Sequence, residues 1–416
     1  MLDVRGGWEQ ALMVVFVVVG LGLIVSKLSE KPRVPDVAVF LVLGILIGPA
    51  VLHLVSAPSE SQANQFIVYL GATVILFDGG RSVRFDVLRR VYISIALLVT
   101  TGVLISAFVV GVAVHYLLHA PWVWSWLLAS VVASTDPATL IPVFRRVPIV
   151  ERLQQTMETE SAFNDATASV LVLMLMTAVQ TGGHLSVGPA VLKFFYDALI
   201  GLAVGVVFGL ATMFTVSKRA WGVFHEFGSI VMLVCAVGSY VVASWFDASG
   251  FMAAFAAGVI TGNGKSFGWS LADETESHIE HTGSVLTMIF RILIFVLLGT
   301  QVNFHAVAAH LWGGLLIVAV LMFVARPATV LGSVLFDGMA RWNAREVALM
   351  TWVRETGVIP AALAGTAVAK GIPQAQTILA VTFLAILCTI LIQATSTGAV
   401  AKRLGLGRDE QSKDDL

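Results

Sequence analysis

Two polar clusters interrupt apolar, membrane-length stretches of this chain: Ser134-Thr135-Asp136-Pro137, and Glu158-Thr159-Glu160-Ser161-Ala162-Phe163-Asn164-Asp165. A carboxylate near the centre of a bilayer costs roughly 2.5–3.5 kcal/mol even on the lenient insertion scale, so acids at that depth mark a bundle interior or a water-filled cavity and, by default, a functional site. Three acids this close together point to a cation site. On a helix Glu160 and Asn164 are four apart, as are Ser161 and Asp165, so two adjacent stripes turn two carboxylates, a hydroxyl and an amide to one side. All four present oxygen, and hard cations such as sodium select carboxylate, carbonyl and hydroxyl oxygens. Pro137 removes a backbone donor inside its span and leaves a carbonyl without its helical partner. Irregular backbone at membrane depth persists only where it lines a cavity or is buried in protein. The predicted element is a broken helix beside a continuous one.

The elements that must position these residues follow from composition. The chain has 416 residues, of which 57% are hydrophobic and 12% charged, with a mean hydropathy of +0.89. At about 20 apolar residues per span, the length reads as an all-α polytopic bundle with short loops, leaving no room for a soluble catalytic or regulatory domain. A formal net charge of -1 offers nothing to nucleic acid. Cys235 and Cys388 both fall in apolar runs and read as small core residues, and the first apolar run reads as a retained helix rather than a cleaved leader.

About thirteen hydrophobic segments are discernible, the fifth near 121–147, the sixth near 157–181 and the twelfth near 344–369. Loops after odd-numbered segments hold most of the Lys and Arg, which by the positive-inside rule places the N-terminus outside and the C-terminus in the cytoplasm. Trp122, Trp124 and Trp126 read as an interfacial belt. Arg291, Arg326 and Arg354 lie within predicted spans and each needs a partner. Arg354-Glu355-Thr356-Gly357-Val358-Ile359-Pro360 breaks the twelfth span as Thr135-Asp136-Pro137 breaks the fifth. The two breaks lie seven spans apart, an odd offset that inverts topology, and such paired interruptions point to an inverted-repeat transporter with a midplane site. Half-helix ends facing each other there need compensation, from Asp136 on one side and Arg354 or Glu355 on the other.

Other classes fit less well. A channel also uses acids at membrane depth but more often builds rings from symmetric subunits. The Gly-x-Gly-Asp and Gly-x-Ser-Gly settings of intramembrane proteases are absent.

At these residues the chain resembles the monovalent cation/proton antiporters, in particular the electroneutral sodium/proton branch. Leu76-Phe77-Asp78-Gly79-Gly80 is similar to the end of that family's third span, Ser134-Thr135-Asp136-Pro137 to its unwound-helix motif, Glu160-Ser161-Ala162-Phe163-Asn164-Asp165 to its Glu-Ser-x-x-Asn-Asp signature, and Phe295-Val296-Leu297-Leu298-Gly299 to a later-span pattern. The resemblance implies a thirteen-helix homodimer with two discontinuous crossing helices, no enzyme activity and no cofactor, embedded in the cell membrane. Its scaffold would comprise residues 1–91 and 218–303, its mobile core 92–181 and 304–400, its linker helix 187–217 and its cytoplasmic tail 401–416. It further implies that Asp165 carries the ion or the proton, that Ser161, Asp136 through water, and the Thr135 backbone complete a sodium cage, and that Glu160 pairs with Arg326. Asn164, where electrogenic relatives have an acid, implies one-for-one exchange of sodium or lithium for protons, with potassium as the alternative cargo and elevator-type alternating access. Glu355 departs from the Arg-Gly of many relatives.

Desolvation raises a carboxyl's pKa and a nearby cation lowers it, so proton and sodium can compete for the same oxygens. Glu160 reads as a structural ion pair rather than a direct ligand, since a neutralised carboxylate cannot also contribute a full charge. Asp136 can serve as a water-mediated ligand, as compensation for half-helix dipoles, or as both. Asp78 is either a helix-end cap or part of the ion funnel.

Overall fold

A computed structural model of the chain describes residues 2–3, 7–29, 36–58, 61–135, 144, 149–182, 187–217, 222–338 and 340–407. Asp136, Pro137 and the second half of the fifth span lie outside the described residues. Nearly all of the rest is helical. In order the helices are α1 (Trp8–Ser29), α2 (Asp36–Ile47), α3 (Gln62–Ser82), α4 (Phe85–Leu97), α5 (Val103–Leu118), α6 (Trp122–Ala133), α7 (Glu151–Gln180), α8 (Val187–Val216) and α9 (Gly228–Trp245). There follow α10 (Gly250–Gly262), α11 (Asp273–Thr300), α12 (Phe304–Ala309), α13 (Leu311–Val320), α14 (Arg326–Val334), α15 (Ala344–Trp352), α16 (Val358–Ala369), α17 (Ala375–Cys388) and α18 (Thr395–Arg403). Among the described residues eight helical stretches are long and apolar enough to cross a membrane, and α2, α6, α10 and α16 are shorter apolar helices.

The twelfth span is interrupted as its sequence predicts. α15 stops at Trp352, residues 353–357 are not helical, and α16 starts at Val358. At the fifth span α6 stops at Ala133 and the chain turns extended at Ser134. Single π-helical turns join α4 to α5 (Leu98–Gly102), α13 to α14 (Leu321–Ala325) and α17 to α18 (Thr389–Ala394). The first falls inside the helical stretch Val91–Leu118 and the second inside Leu311–Val334. π turns of this kind gather at functional sites.

Two sequence expectations are corrected. The sixth span starts at Glu151 rather than near 157, because its polar first turns are satisfied inside the protein: Arg152 pairs with Glu346 at 2.7 Å and Gln154 donates to Glu158 at 2.8 Å. The tryptophans are not a belt. α6 packs against α5, α7 and α17, so Trp124 is buried with its indole N–H on the Pro373 carbonyl at 2.8 Å and Trp126 lies against Gly111. Trp122 is exposed and stacks on His115 at 3.8 Å.

The helices pack in two groups. One gathers α1, α2, α3, α8, α9, α10 and α11; the other gathers α4 to α7 and α13 to α18. α7 touches both groups, and Phe163 on α7 meets Phe255 on α10 edge-on with ring centroids 4.5 Å apart. Within the first group backbones touch. A Cβ on Gly299 would come within 2.5 Å of the Leu41 carbonyl and 2.8 Å of the Gly44 Cα, so the Phe295-to-Gly299 pattern serves α2–α11 contact. A Cβ on Gly80 would strike the Phe255 carbonyl of α10. Small residues allow such approaches, which membrane helices use because lipid gives no hydrophobic drive for helix pairing. Arg291 of α11 pairs with Asp36 at the start of α2, 3.0 Å away.

Gly299→Val therefore forces two backbones apart and is expected to destabilise the protein by about 1–3 kcal/mol, read as a lower melting temperature in detergent. Gly20→Ala, at a position with nothing within 4 Å of the added carbon, is the matched control and should leave melting unchanged.

Candidate ion-binding site

Glu160, Ser161, Asn164 and Asp165 lie on consecutive turns of α7, each 3% exposed or less. Across from them is the extended end of the fifth span's first half-helix. The Thr135 amide donates to Asn164 Oδ1 at 3.1 Å, Asn164 Nδ2 donates to Thr135 Oγ1 at 2.8 Å, and Thr135 Oγ1 donates to Ser161 Oγ at 2.8 Å. Asn164 thus spends both ends of its amide on Thr135. A charged side chain could not have supplied both a donor and an acceptor there. Ser161 and Thr135 bring two hydroxyl oxygens together beside the stripe that continues, one turn on, to Asp165.

Glu160 faces the second half of the chain. Arg326, at the start of α14, forks onto it, with Nη1 on Oε1 and Nη2 donating to Oε2 at 3.1 Å, while Nε donates to the Met350 carbonyl at 2.8 Å. Both side chains are nearly inaccessible to solvent. A desolvated guanidinium is held only where its donors and its charge are both answered, and here a carboxylate and a carbonyl answer them.

Arg354 answers the other need at the crossing. From the break in the twelfth span its Nη2 donates to the Val132 carbonyl at 2.6 Å and the Ala133 carbonyl at 2.8 Å, and its Nη1 donates to Thr356 Oγ1 at 3.2 Å. These are the last carbonyls of α6, which have no partner within the helix, and they carry the negative end of its dipole. The break itself is held by the last span. The Thr356 amide donates to Thr389 Oγ1 at 3.1 Å and Gln393 Nε2 donates to the Trp352 carbonyl at 2.7 Å. Sequence reading did not single out Thr389 or Gln393. Their signal is two polar residues four apart in an apolar span. Glu355 is fully buried and precedes α16 by three residues, on the side of that helix's positive end.

A cavity of about 10 Å³, on the order of the space one water needs, is lined by Thr135, Asn164, Glu160, Arg326 and Arg354, with Ser106 opposite. The structure thus brings together Thr135, Ser161, Asn164, Glu160, Arg326 and Arg354. Asp165 shares their helix stripe, and Asp136 lies outside the described residues. Asp78 is engaged elsewhere. It accepts from Thr287 of α11 at 3.1 Å and lies 3.7 Å from Arg81.

The family model for the sodium/hydrogen exchanger transmembrane region matches residues 13–403. The chain belongs to that family. These are transporters, not enzymes. Two similar relatives are the Na(+)/H(+) antiporter 1 of Methanocaldococcus jannaschii, 29% identical over 92% of this chain and 93% of the relative, and the K(+)/H(+) antiporter NhaP of Alkalimonas amylolytica, 28% identical over 97% of this chain and 68% of the relative. The solved structure of the sodium proton antiporter MjNhaP1 from Methanocaldococcus jannaschii at pH 8 superposes with a TM-score of 0.82 at 26% identity, covering 95% of this chain and 99% of that one. The arrangement of helices in this exchanger-family chain is the one that structure has.

Neutralising one side of the Glu160–Arg326 pair strands the other charge. Glu160→Met or Arg326→Met should each cost about 3–5 kcal/mol, and the two together markedly less than the sum. Melting temperatures of the four proteins in detergent check this.

Proposed function

We propose that this exchanger-family chain carries a monovalent cation, sodium in the first place, across the membrane in one-for-one exchange for a proton, with both competing for Asp165. The observation that carries the reading is the hydrogen-bonded set of Thr135, Ser161 and Asn164. It holds hydroxyl oxygens from two elements against the Asp165 stripe, while the adjacent glutamate is neutralised by Arg326. In this reading the sodium ligands come from Asp165, Ser161 and Thr135, with Asp136 acting through water, and Asn164 orients Thr135 without adding charge. A carrier with one titrating acid has equal charge whether loaded with sodium or with a proton, which makes the exchange electroneutral. Arg354 and Glu355 compensate the half-helix ends.

The two packing groups support a division of labour. Residues 1–91 and 218–303 would form a scaffold through which two copies dimerise, and residues 92–181 and 304–400 a core that moves the site in elevator fashion, with 187–217 as the connecting helix. α7, at the seam, would travel with the core. The basic loops argue for a cell-membrane protein with its N-terminus outside and residues 401–416 in the cytoplasm. Potassium is the second reading, supported by the likeness to a K(+)/H(+) antiporter over nearly the whole chain.

The test uses purified protein in liposomes with an imposed pH gradient, following internal pH on addition of lithium, sodium or potassium, with membrane potential clamped or floating. Sodium-dependent recovery that ignores the potential and falls to background in Asp165→Asn is the expected result, and half-saturation by sodium should need more of the ion as pH falls. Recovery that survives the substitution removes Asp165 as carrier, and recovery that follows the potential removes electroneutrality. A response to potassium in preference to sodium selects the second reading.

A further inference from the structure

A second ion pair joins the first half of the chain to the second, where α7 and α15 begin. Arg152 Nη2 donates to both oxygens of Glu346, at 2.8 and 2.7 Å, and its Nη1 donates to the Ala340 carbonyl at 2.8 Å. The guanidinium carbon sits 4.5 Å from the centre of the Trp342 ring. Glu346 also accepts from the Asn343 amide at 2.8 Å, closing the capping box that starts α15. Behind this pair, Trp342 Nε1 donates to Ser94 Oγ at 2.8 Å, and Ser94 donates through its hydroxyl (2.6 Å) and its amide (3.0 Å) to Asp337. None of these groups lines the cavity at the crossing. The charges alternate between layers. α7 presents Glu160 to Arg326 in one and Arg152 to Glu346 in the other, the two positions about 12 Å apart along the helix.

α15 has nine residues, about 13 Å of helix, and both its ends are held. At its start Glu346 grips α7. Just past its end Arg354 grips the last carbonyls of α6, with Ser134 alone between them and Thr135. The oxygen atoms at the crossing come from these same two elements, Ser161 from α7 and Thr135 from the end of α6. We propose that α15 is a strut that sets the separation of Thr135 from the Ser161–Asp165 stripe, that Arg152 and Glu346 are the positioning residues anchoring its far end, and that this anchor tunes which size of cation the site prefers. The proposal rests on the reading of Thr135, Ser161 and Asp165 as ion ligands. A cage whose walls are pinned can close around a small cation. Once the anchor is loosened the walls drift, and a small cation loses contacts that a larger one still reaches.

The measurement is the half-saturating concentration of lithium, sodium and potassium for exchange in proteoliposomes, for wild type, Arg152→Gln, Glu346→Gln, their combination and Arg152→Lys. Each Gln variant should raise the lithium and sodium values by about three- to tenfold, the range expected of an effect passed through one intervening layer, and the potassium value less. The combination should be no worse than the worse single, because the two groups act as one unit. Arg152→Lys keeps the charge but not the two-pronged grip and should fall between wild type and Arg152→Gln. Equal changes for all three cations, loss of maximal rate alone, or effects that multiply in the combination would overturn the proposal. If the Gln variants do not fold, Arg152→Lys decides alone, and an unchanged sodium-to-potassium ratio overturns it. A wild type without cation-dependent exchange would instead bring down the functional reading on which the strut depends.

Discussion

The guanidinium of Arg354 on the last carbonyls of α6 is the contact on which the crossing depends. A helix interrupted at membrane depth exposes carbonyls and amides that lipid cannot satisfy, together with an unmatched dipole end. One arginine supplies donors and charge at once. At the second break neutral groups answer the backbone, Thr389 Oγ1 accepting from the Thr356 amide and Gln393 Nε2 donating to the Trp352 carbonyl. With the backbone held in this way, Thr135 leaves helical geometry and turns its amide and hydroxyl toward Asn164 and Ser161 of α7.

Charge matching then divides the work among the acids of α7. A buried ion pair stabilises little relative to an apolar pair of the same shape, but it is costly to break. Its value here lies in fixing Glu160 as a permanently answered charge, braced by Arg326 and, through Arg326, by the Met350 carbonyl. Asn164 adds two hydrogen bonds and no charge. Asp165 lies one turn beyond Ser161 on the same helix stripe, near hydroxyl oxygens whose direction is already set.

The two packing groups are held by different forces. In one, glycines let helix backbones touch, as at Gly44 and Gly299 or Gly80 and Phe255. Packing of that kind is close-fitting and resists sliding. In the other, long side chains bridge helices across polar layers at Glu160–Arg326, Arg152–Glu346 and Ser94–Asp337. These braces tie segments of both sequence halves into one body. α7 runs along the boundary between the groups, where Phe163 meets Phe255 edge-on, and the Phe85 amide of α4 donates to Asn263 Oδ1 at the end of α10 at 2.9 Å.

The sequence alone determined the class of protein, the depth of its acids and the place of its second break. Each of these is local. Hydropathy over twenty residues decides a span, a 3.6-residue period puts Glu160, Ser161, Asn164 and Asp165 on neighbouring stripes, and Gly357 and Pro360 mark the start of the second half-helix after the break. The family motifs, being short and contiguous, were legible for the same reason. Apart from Glu160 with Arg326, which the family resemblance implied, only the tertiary structure decided partners. That Arg354 reaches Val132, that Asn164 is spent on Thr135, that Thr389 and Gln393 serve the break, that Trp124 is core, and that Arg152 and Glu346 lengthen the sixth helix by two polar turns all join residues far apart in the chain. A sequence lists donors, acceptors and charges, but which of them meet is set by how helices pack, and in a membrane that packing is what makes each buried charge tolerable.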